Sequence, residues 1–476
     1  MRIPELIPIQ SPIFSGSLFA ESFSQILEFL PKNPLTIVVF VLAASTLSTA
    51  VTAQTEEPVG LDLISAWQAA RKKDSTLASA RYQEEAAKLR VPQAEAALLP
   101  SASASAQLAR QWAETSAEPR KGFTSQSYAL NLNYPLYRLP AKESLAQAKL
   151  VSSQAAIQSS IAEQELLLKV AQTYLDTLGG QDTLRAAQAQ NRASREQMQN
   201  LKKSFDAGNA ARIDLQDAIA RNDIAIAQEL AARNDLEVRI AALAVLTGRF
   251  DTEIRRLRSD VELTLDGSAN LSDWVRQART ANLAVQIGEI AGEIAQREVS
   301  KQNAAHRPTV DLVSSLSRSS NATVNFVGTN QTNAQIGVQV TIPIFTGGAI
   351  TAKTREAVAL FNRSSAELET ARDSSEQATR QALVRIASGR GLMRALESAV
   401  NSSQIALDTT VLAYKAGARV NLDVLNAQQQ LFTTRRDLAK ARYDFLIDSL
   451  RLKQLSGSLS EADLIPINQL LIPLQS

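Results

Sequence analysis

The sequence predicts a mixed architecture: long α-helices joined through short β-hairpins, built twice over in one chain. Three observations predict it. No proline occurs between Pro140 and Pro308, nor between Pro343 and Pro466. A ring that removes an N–H and collides with the preceding turn is what a long helix must exclude, and these regions are rich in Ala, Leu, Gln, Arg and Glu, good helix formers. Segments with two-residue alternation precede each of them. Landmarks also recur at offsets of 206 to 209 residues: Leu77 with Leu283, Pro100 with Pro308, Tyr134-Pro135 with Ile342-Pro343, Gly208 with Gly417, Asp214 with Asp423, and Gly248 with Gly457. An ordered set of matches at one spacing marks an internal duplication.

Residues 1–53 read as an export signal with an extended leader. Thr36 to Ala44 is a short apolar core preceded by Lys32, and Val51-Thr52-Ala53 forms a small-residue cleavage site before Gln54. The core is too short for a comfortable membrane anchor.

The first repeat, 54–248, begins with a helix over 62–99, in which Pro92 permits a bend. A β-hairpin follows over 101–137. Tyr128, Leu130, Leu132, Tyr134 and Leu136 share one face, and Ser127, Ala129, Asn131 and Asn133 the other. A long helix covers 140–207, a Gly-containing turn 208–211, and a return helix 212–247. After a linker over 249–271, the second repeat (272–456) copies the plan. It has a helix over 272–307, a hairpin over 309–345, a long helix over 348–415 and a return helix over 421–456. In that hairpin Ile336, Val338, Val340, Ile342 and Ile344 alternate with Gln335, Gly337, Gln339 and Thr341. Residues 457–476 read as a loosely ordered tail.

At 1.5 Å per residue the long helices extend about 100 Å, and each pair of shorter helices could stack end to end beside one. Such helices need neighbours along their length. The hairpins carry apolar-out, polar-in barrel patterning at a bilayer-spanning length. Four strands close no barrel, and an open edge in lipid is prohibited, so several copies must share one. Three copies would supply twelve strands and two only eight, too narrow for a duct; the count itself fixes neither.

Composition narrows the chemistry. The chain has 50 Lys plus Arg against 48 Asp plus Glu, no cysteine and a single histidine, His306. Disulfides, thiolate chemistry and histidine-based metal or acid–base sites lose their ligands. No phosphate-cradling motif occurs, and Arg71-Lys72-Lys73 and Lys202-Lys203 read as solvated helix faces rather than a nucleic-acid footprint. No cofactor is implied and no catalytic cluster converges.

The run from Tyr414-Lys-Ala-Gly417 through Asp423 to Leu431, continuing to Leu450 and to Gly457 through Leu464, is similar to the TolC family of outer-membrane efflux and type I secretion channels. Pro343 to Gly348, Ala171 to Leu175 and Gly208 to Ala218 share the resemblance, which covers nearly all of residues 60–465. The resemblance implies a homotrimer with a 12-stranded β-barrel in outer-membrane lipid, continuous with a periplasmic α-helical tunnel. It implies a passive exit duct, not an enzyme, opened by an inner-membrane transporter of ABC, RND or MFS type and a periplasmic adaptor (membrane fusion) protein. The rival reading is a periplasmic coiled-coil scaffold without a pore, against which the alternating strands argue.

The resemblance also assigns roles. Residues 249–271 and 457–476 become a belt around the middle of the tunnel. Gly208 and Gly417 become the periplasmic tip turns where an adaptor docks. Asp423 falls on the ring of carboxylates at the closed aperture, and Asn426 stands where a second acidic ring is expected, a departure that weakens cation selectivity. Tyr414, Arg419 and Asp214, with the Ile213 carbonyl as an alternative acceptor, fall on the links that hold the closed state. Pro135, Pro343, Gly347 and Gly348 fall at the barrel–tunnel junction, where unusual backbone angles are needed.

Overall fold

The computed structural model describes residues 61–115, 118–250, 254–258, 271–320 and 328–472. The expected export signal over 1–53, most of the linker over 249–271 and the second hairpin tip near 321–327 lie outside the described residues.

The helix expected over 62–99 is two helices, α1 (Leu63–Lys73) and α2 (Ser75–Ala96). Asp74 between them is extended at ψ 119°, and its Oδ1 accepts the Leu77 N–H at 2.8 Å. That side-chain cap satisfies donors that a continuous helix would satisfy with backbone carbonyls. The helix expected over 272–307 breaks in the same way into α5 (Leu271–Ala281) and α6 (Leu283–Ala304), with Asn282 accepting from Ala284 N at 2.9 Å. The caps correct the register of the duplication. Asp74 matches Asn282, so Leu77 pairs with Val285 rather than Leu283, and both Leu77 and Val285 are buried.

Strands β1 (Ser101–Thr115) and β2 (Glu118–Tyr137), then β3 (Thr309–Ser320) and β4 (Asn330–Thr341), form one antiparallel sheet in the order β1-β2-β3-β4. Leu130 faces Ala104 on one side and Leu316 on the other, and Leu316 faces Ala334. Residues opposite one another share a face, so the sheet has one apolar and one polar side. The second hairpin ends earlier than expected. Strand β4 stops at Thr341, and residues 342–346 are not strand. The corresponding stretch of β2 is kept in the sheet by β3 on its flank, where Pro135 pairs with Asp311 and a bulge follows before Tyr137. Strand β4 has no such neighbour on its outer side.

The long helices are α3 (Leu139–Asp206) and α7 (Ala349–Lys415), and the return helices are α4 (Arg212–Thr247) and α8 (Asn421–Leu455). Helix α3 packs against α2 and α4 of its own repeat and against α6 and α8 of the other. The first repeat places Arg81 on α2 3.8 Å from Glu163 on α3; the second places Glu289 on α6 2.9 Å from Arg372 on α7. The same two positions carry exchanged charges.

The main core lies at the belt. Trp67, Leu77, Leu167, Val170, Tyr174, Leu175, Leu243 and Leu450 meet there with Leu464, Ile467 and Leu471 of the C-terminal segment. That segment is a 3-10 turn followed by α9 (Leu464–Gln469), so the tail is packed into the core rather than loosely ordered. Its apolar residues pack against α1 and join the belt core, a role its length alone does not reveal.

Candidate functional site

The apolar side of the sheet is solvent-facing in the single chain. Leu130 is 50% exposed, Ile336 76% and Val338 61%, and Leu108, Trp112, Tyr128 and Val340 are exposed beside them. A soluble protein seldom exposes so continuous an apolar surface. Both β1 and β4 also present free edges.

The junction residues divide by repeat. Pro135 is buried within β2, where its missing N–H is tolerated beside a bulge. Pro343 lies in the unpaired stretch after β4, and Gly347 and Gly348 follow at φ +62° and +84°. Two successive left-handed residues reverse the chain into α7 at little steric cost only because neither bears a Cβ. In the first repeat the same junction is held by Arg138, whose Nη2 lies 2.8 Å from Asp311 Oδ1. Sequence reasoning missed this ion pair. Its partners are 173 residues apart and have no charged counterparts in the opposite repeats, where Thr346 of the second corresponds to the arginine and Ser103 of the first to the aspartate.

At the far end the two tips are built alike. Gly208 N–H donates to Phe205 O at 2.9 Å and Asn209 N–H to Ser204 O at 2.7 Å. Gly417 and Ala418 repeat this with Tyr414 O and Ala413 O at 3.0 and 2.8 Å. With φ near +79° and +75°, both glycines close their helices through the left-handed turn that satisfies the last carbonyls.

Beyond the turns, Arg419 Nη1 lies 3.4 Å from Asp423 Oδ2 on the first turn of α8. Asn426 Oδ1 accepts from Arg221 Nη2 of α4 at 2.9 Å. Asp214 sits in the first turn of α4, with Ile213 exposed beside it. Among the described residues, no hydrogen bond joins Tyr414 or Arg419 to Asp214 or to the Ile213 carbonyl. The bonds that do join the repeats near the tip are Arg221 to Asn426 and Gln197 to Asn421. Asn426 could be found from its motif position, but no sequence spacing points to Arg221 or Gln197.

At the belt, Tyr174 is fully buried and its hydroxyl donates to Leu61 O at 2.9 Å. Tyr443 donates to Asp182 Oδ2 at 2.7 Å. Burial pushes both phenols well above their usual range, so they act as fixed donors.

Two stretches, 66–249 and 274–458, match the model of the outer membrane efflux protein family. The chain belongs to that family, the TolC family of outer-membrane channels. It is 30% identical to outer membrane protein TolC of Vibrio cholerae over 90% of this chain and 97% of that one. It is 29% identical to the alkaline protease secretion protein AprF of Pseudomonas aeruginosa, over 86% and 87% respectively. The outer membrane channel CmeC of Campylobacter jejuni superposes with a TM-score of 0.73 at 16% identity, covering 90% of this chain and 97% of that one. As a member of the TolC family the chain is a channel rather than an enzyme. It sits in the outer membrane through its sheet and extends into the periplasm through its helices, and each protomer contributes part of a mixed barrel and tunnel.

Proposed function

We propose that three copies close a twelve-stranded barrel and a helical tunnel, the passive exit duct of a tripartite efflux pump or type I secretion system. The observation that carries this reading is that the chain is unfinished on two complementary flanks. The first repeat ends at the free edge of β1 and at Ile224, Leu230, Val238 and Val245 exposed along α4. The second ends at the free edge of β4 and at Val358, Val384, Leu392 and Ile405 exposed along α7. Joining one flank to the other is a head-to-tail contact, which ends only when rotation closes a ring. The chain lacks cysteine, so variants that carry two cysteines, one on β1 and one on β4 of the same chain, give a clean test. Expected is oxidation to a covalent ladder that stops at three. A ladder stopping at two, or one without end, refutes it.

The tip is the gate. Asp423, steered by Arg419, lines the aperture, and Asn426 replaces a second carboxylate there. Tyr414 and Arg419 engage Asp214 or the Ile213 carbonyl across the assembled closed end, while Arg221 to Asn426 clasps the two return helices within a protomer. The turns at Gly208 and Gly417 are the docking points of a periplasmic membrane-fusion adaptor, which couples the duct to an ABC, RND or MFS transporter. Arg419→Ser combined with Tyr414→Phe is expected to raise single-channel conductance in planar bilayers several-fold. Unchanged conductance would remove the gate assignment.

A further inference from the structure

We propose that the belt carries a site for a small soluble oxyanion, phosphate or a polycarboxylate, in a cavity of about 350 Å³ lined by Arg185, Arg256, Arg258, Arg435 and Arg442, with Asp182 as the one lining carboxylate among the described residues. Three separate segments converge on it. Helix α3 brings Arg185, and α8 brings Arg435 and Arg442 two turns apart on one face. The segment 254–258, held by isolated β-bridges, brings Arg256 and Arg258. Leu257 bridges to Leu471, and Ile472 N–H donates to Arg256 O at 2.7 Å, so this backbone is held. In an extended segment alternate residues share a side. Leu257 packs against the core and both arginines are exposed on the cavity side.

The charge balance departs from the rest of the molecule. The whole chain has 50 cationic against 48 anionic side chains, whereas among the described residues this lining has five guanidiniums and one carboxylate. That carboxylate is already engaged, by the Tyr443 hydroxyl at 2.7 Å and by Arg185. Arg442 is held by Glu397 at 2.9 Å. Arg435 donates to a neutral amide, Gln404 Oε1, at 2.7 Å, and among the described residues Arg256 has no carboxylate within ion-pair distance. Guanidinium forks on facing segments match the paired oxygens of phosphate and carboxylate and gain specificity from bidentate geometry. The volume fits one small ligand. Lipid is excluded as the source: Asp182 lies some 43 residues along α3 from its sheet end, about 65 Å from the membrane-embedded strands at 1.5 Å per residue.

The test titrates inorganic phosphate, and separately citrate, into the assembled full-length protein in detergent. Binding is read by calorimetry and by the melting temperature, with sodium chloride at matched ionic strength as the control. Expected is saturable binding of at least one of the two, with a rise in melting temperature beyond that given by chloride. Arg256→Ala combined with Arg435→Ala is expected to weaken binding by at least about tenfold. Should that variant fail to assemble, Arg435→Gln alone, at an exposed position, is read in the same way. The absence of saturable binding, a shift that chloride reproduces, or affinity unchanged by the substitutions overturns the site.

Discussion

Asp62 ties three segments of the belt together. It caps α1 through Ser65, accepts from Asn468 Nδ2 at 3.2 Å and lies 3.7 Å from Arg255 Nη1. Burial pushes its carboxyl up, but the bonds from Ser65 and Asn468 and the Arg255 charge outweigh this and hold it below its ordinary 3.8. A folded-state pKa below the unfolded one contributes stability that is present above the unfolded value and lost as pH falls through the folded one. The belt is therefore expected to loosen below about pH 4, as acid-dependent proteolysis near residue 255 would show. Asp62→Ala is expected to cost about 1 kcal/mol through loss of the cap, measured by thermal unfolding, and to flatten that acid dependence. Asp62 was open to reading as a cap from the sequence, since acceptor residues before an apolar run signal a helix start. Its links to Arg255 and Asn468 were not, because they join positions far apart in the chain.

The helices differ along their length. Near the belt their contacts are Leu, Val and aromatic residues. Toward the tips, α3, α4 and α8 bury amides and hydroxyls beside Leu201, Leu215, Val424 and Leu425: Asn191 Oδ1, Ser194 Oγ, Asn222 Oδ1 and Gln428 Oε1 are buried without a hydrogen-bond partner among the described residues. Each such group costs about 1–3 kcal/mol while it stays dry, so separating these helices would recover part of the cost of opening. Asn222→Leu with Ser194→Ala is expected to raise stability by about 1–3 kcal/mol, read as a higher melting temperature, and to lower the open probability in planar bilayers. A lower melting temperature would refute the strained seam. Helix existence was legible from proline-free, Ala- and Leu-rich runs. The breaks at Asp74 and Asn282 were not, because a cap inside a periodic segment looks like one more polar surface position. The strand end at Thr341 was equally hidden, since alternation runs on through Ile344 whatever the neighbouring strand does.

At the scale of the whole molecule, one chain is unfinished at its flanks. Its sheet has two free edges and one apolar face, and its outer helices carry uncovered apolar side chains. Ile336→Arg places a charge on the lipid side of β4, at an expected cost of about 2–4 kcal/mol near the bilayer midplane. The measurement is the yield of heat-modifiable oligomers in the outer-membrane fraction, which should fall; a charge at neighbouring Gln335, on the polar side, should be tolerated.

Proline placement, alternation and the duplication are properties of residues near one another or at a constant spacing, so they stand in the sequence and suffice for paired long helices, bilayer-length hairpins and glycine turns; the barrel-and-tunnel channel came from the motif resemblance. What only folding decided are relations between distant positions. These are the packing of the tail beneath α1, the Arg138–Asp311 pair at the junction, the Arg221–Asn426 clasp and the convergence of five arginines at the belt. Periodicity says which face of an element is buried; which element covers it depends on how the whole chain divides its apolar surface among competing neighbours, and that division exists only in three dimensions.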